Sequence, residues 1–331
     1  MVNPVLGDAE WLAHRYDAVG DVFHYRRVSR ARHAEIPFLT DEYLGPADRI
    51  EAIARAEAAA TAATGTLHFV FHSAFCASTM LVRALDVPGV SMGLSEPVVL
   101  NDLVGWRRRG AEARQHGQVM VDALAQLARP FAPGEAVVVK PSNVLNPFAH
   151  AVLTMRPNAS AILLHAPLPT FLASVARKGL WCRLWARELL EGYLRDGIVD
   201  LGFTPKDYFL QSDLQVAAVG WLAQHALFAK LVEQFPERVK TLDSDRLTNA
   251  PAAGVAAVAR HFGLVIAETD LAEHPALGRN SKSGEGFVAG QRAREQADAK
   301  AAYGDEIDKV AAWAEAVAVS AGVSMTLGHA V

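Results

Sequence analysis

The sequence predicts an α/β fold, a doubly wound, mostly parallel sheet covered by helices on both faces and carrying helical insertions. Three observations predict it. Four short runs, "LHFVFH" (67–72), "AVVVK" (136–140), "SAILLHA" (160–166) and "RVKTLD" (238–243), are dominated by apolar and β-branched residues without strict alternation. Strands of that kind are buried on both faces, as in a parallel sheet. The runs are separated by helical patterns, the signature of strand–helix–strand crossovers. The chain is long, 331 residues with 51% hydrophobic, so a sizeable core can form.

Residues 1–48 are rich in His, Arg and aromatics and only weakly periodic, which suggests a small N-terminal β/loop module, with the α/β domain over 49–331. Residues 47–63, "ADRIEAIARAEAAATAA", read as an Ala-rich helix with Gly65 just past its end as a C-cap. The strand 67–72 runs into a loop and the start of a helix. After "AVVVK" a helix is expected near Asn146–Pro147, and after "SAILLHA" another near Pro169. Long helices over roughly 170–195 and 212–235 form the insertion before the last strand. A helix from about Asn249 to Phe262 follows that strand, and an amphipathic helix is expected over about 289–320.

Composition narrows the function. The net charge is −4 with mixed signs, unlike the strong basic excess of a nucleic-acid binder. Two cysteines, Cys76 and Cys182, are too few for a disulfide framework or a zinc cage. The N-terminus has no signal-peptide pattern, and no stretch approaches 18 uninterrupted apolar residues. The expectation is a soluble cytoplasmic protein with no membrane and no nucleic-acid partner.

The segment "TLHFVFHSAFCASTMLVRALD" (66–86) has the strand–loop–helix frame of a phosphate-binding loop. Against the pattern G-x-x-x-x-G-K-[ST], His72 takes the first Gly place, Ala77 the second, Ser78 the Lys place, and Thr79 fits the last. Ala77 can replace glycine if its φ is negative. Without the lysine that reaches the β- and γ-phosphates, the loop reads as an anion site rather than a site for ATP with magnesium. An ordinary β–α turn with small residues is the structural alternative. A cysteine phosphatase would need Cys and Arg separated by five residues, whereas six separate Cys76 from Arg83, so Cys76 reads as a packing residue.

Further motifs follow in order: "PGVSMGLSEPVVLND" (88–102), "VVVKPSNVLNPFAHAVLTMRPNASAILLHAPLPTFLASVARKG" (137–179), "LDSDRLTNAP" (242–251) and "RNSKSGEGF" (279–287). Together with the loop they resemble the bacterial sulfotransferase family over roughly residues 66–290, leaving the N-terminal module outside. The resemblance implies a P-loop NTPase-like, sulfotransferase-like fold. It also implies transfer of a sulfuryl group from 3′-phosphoadenosine 5′-phosphosulfate, as co-substrate and without metal, to a hydroxyl or amine of a small molecule or peptide. The family's "SGT" falls on Cys76, Ala77 and Ser78, within a co-substrate loop Ser73, Ala74, Phe75, Cys76, Ala77, Ser78 and Thr79. The chain departs from the family at Phe75, where the loop usually has a basic residue, and at Ala166, where the 3′-phosphate arginine stands. Ser174 matches the serine of that motif, and Ser281 and Lys282 match the final loop. The family's acidic strand end falls on Glu96, the candidate general base.

Lost loop charge must come from elsewhere, because a leaving oxygen becomes anionic. Lys140, at a strand's carboxyl end, and Lys282 are the candidates. Arg177, one helical turn after Ser174, can replace the missing phosphate arginine. His72 and His165 end strands and are candidate bases, or else histidines satisfied at the core edge. "WRRRG" (106–110) and the run Arg177, Lys178, Arg183, Arg187 are the densest basic clusters and read as solvated faces. Two other readings stand beside transfer, a non-catalytic nucleotide-binding or interaction protein on the same fold and a kinase-like phosphotransferase.

Overall fold

The computed structural model describes residues 3–61, 65–272, 274–278 and 291–331. Among them lie eight strands: β1 (Trp11–Asp17), β2 (Val22–Arg27), β3 (Ile50–Ala54), β4 (Leu67–His72), β5 (Ser91–Ser95), β6 (Ala136–Lys140), β7 (Ala161–His165) and β8 (Val239–Asp243). The last five form one sheet in the order β5-β6-β4-β7-β8. β5 runs parallel to β6, and β6 to β4. The chain enters this sheet at its central strand β4, crosses to the edge strand β5, returns through β6, and then adds β7 and β8 on the other side, so the α/β, doubly wound architecture is as expected. Every residue of β4, β6 and β7 is buried, which is why these runs are apolar without alternation. No helix among the described residues is long and apolar enough to cross a membrane.

The chain forms two compact units, the first made of Met1–Phe71, Ser78–Ala161 and Pro251–Gly286, the second of His72–Ala77, Ile162–Ala250 and Phe287–Val331. In the first, β1, β2 and β3 make a separate antiparallel sheet. β3 occupies residues read from the sequence as helix; the helix itself is only Arg55–Ala60. Tertiary pairing overrides alanine's helix preference here. β3 pairs with β2 from Val22↔Ala54 to Arg26↔Ile50. Arg55 then locks the junction, donating to Asp21 at 2.7 and 3.0 Å and to Asp122 at 2.7 Å. Gly65 is required for close approach rather than as a helix cap. Its N–H donates to the Ala128 carbonyl, and an added Cβ would lie 2.4 Å from that oxygen.

In the second unit, the stretch expected as one helix over 170–195 is two, Leu168–Arg177 and Leu180–Arg195. Gly179 separates them at φ +70°, a conformation that L side chains rarely adopt. The helix Asp213–Gln234 starts at a capping box between Ser212 and Gln215 and buries Trp221, whose indole N–H donates to the Ala166 carbonyl at 2.9 Å. The helix Gln291–Ala321 follows, and the chain end then lies along β8, with Thr241 N–H donating to His329 O and Val331 N–H to Thr241 O.

Candidate functional site

The loop after β4 holds three of the six non-glycine residues with positive φ among the described residues. Ala74, Phe75 and Ala77 have φ of 71°, 53° and 61°. Ala77 therefore does not take glycine's place through a negative φ, as expected from the sequence, but adopts glycine's left-handed conformation itself. Each such residue costs about 1–2 kcal/mol, a strain that neighbouring structure must hold in place. Ser73 does so within the second unit. Fully buried, it donates its N–H to Leu164 O at 3.0 Å and accepts the Ala166 N–H on its hydroxyl at 3.2 Å. His72 contributes as well, because its Nδ1 accepts the Ala74 N–H at 3.1 Å. A backbone N–H can only donate, so Nδ1 carries the lone pair and Nε2 is left as the protonated nitrogen of the neutral ring. The Ser73 and Ala74 N–H groups are thus engaged within the protein, by Leu164 O and His72 Nδ1. Cys76 is buried, in keeping with a packing role, and Ser78 and Thr79 are the buried first residues of the helix Ser78–Ala84.

Phe75 places an aromatic ring in the loop. Its ring lies 5.8 Å from Phe171 and 5.5 Å from Trp185, and the Lys178 ammonium sits 5.6 Å from its centroid. Farther along the Leu168–Arg177 helix, Ser174 donates its hydroxyl to Thr170 O at 3.0 Å. Arg177 pairs with Glu295 at 2.8 Å.

In the first unit the structure brings Glu96 and Lys140 together. β5 and β6 pair in register, Ser95 opposite Lys140, so residues at their carboxyl ends meet. Glu96 has φ 53° and donates its N–H to Lys140 O at 2.6 Å. Its carboxylate forms an ion pair with the Lys140 ammonium. Lys140 is fully buried and lies over the Phe38 ring, 4.8 Å from the centroid. The sequence motifs gave no signal for Phe38. It is delivered by the neighbouring Leu39, whose N–H donates to Ser95 O at 2.7 Å.

His165, at the end of β7, lines a cavity of about 420 Å³ together with Trp221, Asp243 and Arg246. Burial lowers the pKa of His165, although the Asp243 carboxylate 3.9 Å away acts in the opposite sense. His225 packs edge-on against it at 5.1 Å and stacks on Trp221 at 3.8 Å. Trp221 and His225 lie in a long apolar helix and carry no sequence signal. Ser281 and Lys282 lie outside the described residues. Among the described residues, no group of three or more His, Cys, Asp or Glu could hold a metal ion.

No protein-family model matches the chain, and no curated protein does. Among solved structures, the chain is similar to the sulfotransferase domain from the curacin biosynthetic pathway, at 15% identity over 66% of this chain and 80% of that one, with a TM-score of 0.40. It is also similar to the sulfotransferase domain of the Synechococcus PCC 7002 olefin synthase, at 12% identity over 72% and 95%, with a TM-score of 0.39. A third is sulfotransferase STF9 from Mycobacterium avium, at 15% identity over 74% and 78%, with a TM-score of 0.43.

Proposed function

We propose that this protein binds a nucleotide carrying a 3′-phosphate on the loop 73–77 and transfers a sulfuryl group to a hydroxyl or amine acceptor. The single observation that carries the reading is the loop. Three non-glycine residues in four hold left-handed backbone there, and strain of that kind clusters at active sites and ligand clamps. The ordered motifs of the sequence supply the chemical class, 3′-phosphoadenosine 5′-phosphosulfate as donor.

The fit of the chain's residues to that donor is partial. The proposed seat of the phosphosulfate is the turn at 75–77 and the start of the helix Ser78–Ala84, since the Ser73 and Ala74 N–H groups are engaged by Leu164 O and His72 Nδ1. Ser174 with Arg177 is the proposed site for the 3′-phosphate. No basic side chain lies in the loop itself, because Phe75 stands there. In this reading Glu96 accepts the acceptor's proton as the new bond to sulfur forms. The bond between sulfur and the bridging oxygen breaks, and that oxygen leaves on the nucleotide 5′-phosphate. Lys140 orients Glu96 through their ion pair. His72, its Nδ1 engaged, serves to shape the loop.

The test is calorimetric titration with adenosine 3′,5′-bisphosphate and with ATP–magnesium, followed by transfer of labelled sulfate from the donor into a metabolite extract. Binding of the bisphosphate and labelling of an acceptor are expected. Binding of ATP–magnesium alone overturns the reading in favour of phosphotransfer. Tight bisphosphate binding without labelling favours a binding protein, an outcome to which Phe75 and Ala166, in place of two cations, give weight.

A further inference from the structure

We propose that Lys178 supplies the positive charge that the loop lacks, held there by the ring of Phe75, and that it counters the phosphate or sulfate of an anion bound on the loop. The inference rests on the nucleotide reading above and adds a residue that the sequence motifs do not assign.

Residues 72–79 contain no Lys or Arg, so an anion bound there would meet no full positive side-chain charge from the loop itself. Phe75 offers another route. Its ring is fixed by Phe171 and by Trp185, the latter meeting it at an interplanar angle of 70°. The ring still receives the Lys178 ammonium at 5.6 Å, within the range in which an aromatic face attracts a cation. The aromatic residue at the cation's usual place in the loop thus binds a cation from the end of a neighbouring helix.

The neighbouring charges make the assignment specific. Of the four basic residues between 177 and 187, Arg177 pairs with Glu295, Arg183 with Glu306 and Arg187 with Asp213. Among the described residues the Lys178 ammonium has no carboxylate partner and faces the Phe75 ring. Its charge is therefore unpaired by a carboxylate beside the loop proposed to hold an anion. Gly179, at φ +70°, ends the helix immediately after it and turns the chain, so Lys178 leaves from the helix terminus. A lysine there also favours the helix dipole. A role confined to the dipole would act on stability and leave anion affinity unchanged.

The experiment is calorimetric titration of adenosine 3′,5′-bisphosphate, with adenosine as uncharged control, into wild type, Lys178→Met, Lys178→Arg and Phe75→Leu at two salt concentrations. Lys178 is exposed, so its variants should fold, and thermal unfolding checks this. Loss of one charge-assisted contact weakens bisphosphate affinity in Lys178→Met by about 10- to 100-fold and leaves adenosine unaffected. Lys178→Arg restores most of the affinity, and the salt dependence is shallower in Lys178→Met than in wild type. Phe75→Leu weakens binding too, and adds little on top of Lys178→Met, because both remove the same cation. Equal bisphosphate affinity in Lys178→Met and wild type overturns this inference alone. No bisphosphate binding by wild type overturns it together with the nucleotide reading.

Discussion

The Lys140 ammonium and the Glu96 carboxylate form an ion pair of unequal exposure, the lysine side chain 1% exposed and the glutamate 19%. The pair exists because two parallel strands end in register, and because Glu96 accepts a left-handed φ to bring its N–H onto Lys140 O. A buried lysine must be paired or neutralised. Here it has a carboxylate on one side and the face of Phe38 on another.

That asymmetry sets the first prediction. Removing one partner of a buried pair costs about 3–5 kcal/mol, mostly through the charge left behind. In Lys140→Met the charge left behind is the Glu96 carboxylate, which water can reach. In Glu96→Gln the orphan is an ammonium that water cannot reach. Glu96→Gln should therefore destabilise the protein more than Lys140→Met. The double variant should cost less than the sum of the two, by about 0.5–3 kcal/mol. Urea denaturation of the four proteins measures this. Additive losses would mean that the pair contributes no coupling.

The strained loop gives the second prediction. Ala77→Gly relieves a left-handed alanine, worth about 1–2 kcal/mol, against an unfolded-state entropy gain for glycine of about 0.4–1 kcal/mol. The net is a stabilisation of roughly 0.5–1 kcal/mol, visible as a higher thermal midpoint. The same holds for Ala74→Gly, also at positive φ. A destabilised Ala77→Gly would mean that the Cβ contributes packing worth more than the strain.

How much of this was legible follows from what each feature depends on. Four core strands could be read because burial on both faces leaves continuous apolar runs. The meeting of Glu96 and Lys140 was open to reading once both were placed at carboxyl ends of strands. β3 was not legible, because its residues favour helix and only pairing with β2 and the Arg55 clamp decide otherwise. Phe38, Lys178 and the stack of Trp221 on His225 were not legible for a similar reason. Their partners are remote in sequence, and nothing in a single aromatic or lysine says what it will face. The positive φ of Ala77 is invisible because alanine there breaks the rule that would have marked it.

Acid pH should destabilise the protein through its buried histidines. Burial, the largest cause in each, lowers His33 and His68 to about 4 and His225 to about 3, with repulsion from Arg30, His261 and His165 adding respectively. The folded state keeps these rings neutral, whereas the unfolded chain protonates them near pH 6.5. Stability from these rings is thus fully present above about pH 6.5 and is lost as pH falls from there toward 4 and 3. Each ring contributes a slope of about 1.4 kcal/mol per pH unit within that window. The urea midpoint should be flat above pH 7.5 and fall steeply below 6. His225→Phe keeps an aromatic on Trp221 but cannot titrate, so its curve should be shallower by one such slope; an unchanged slope would rule His225 out.

The last prediction concerns Arg177 and Glu295, whose pair lies 2.8 Å apart with both side chains more than one-third exposed. An exposed pair of this kind contributes about 0–1 kcal/mol, so Arg177→Ala should unfold at nearly the wild-type midpoint. Its effect on ligand choice should be larger if Arg177 and Ser174 take the 3′-phosphate. Arg177→Ala should then lose about tenfold or more in affinity for adenosine 3′,5′-bisphosphate while keeping that for adenosine 5′-phosphate, because only the first carries the group that Arg177 binds. Glu295→Gln removes the carboxylate that competes for the guanidinium and should shift the bisphosphate preference the opposite way. Two titrations on each of three proteins decide the matter. If Arg177→Ala weakens both nucleotides equally, its charge acts at a distance and the 3′-phosphate is held elsewhere. If neither variant changes either affinity, Arg177 is a surface residue that serves to tie its helix to Glu295.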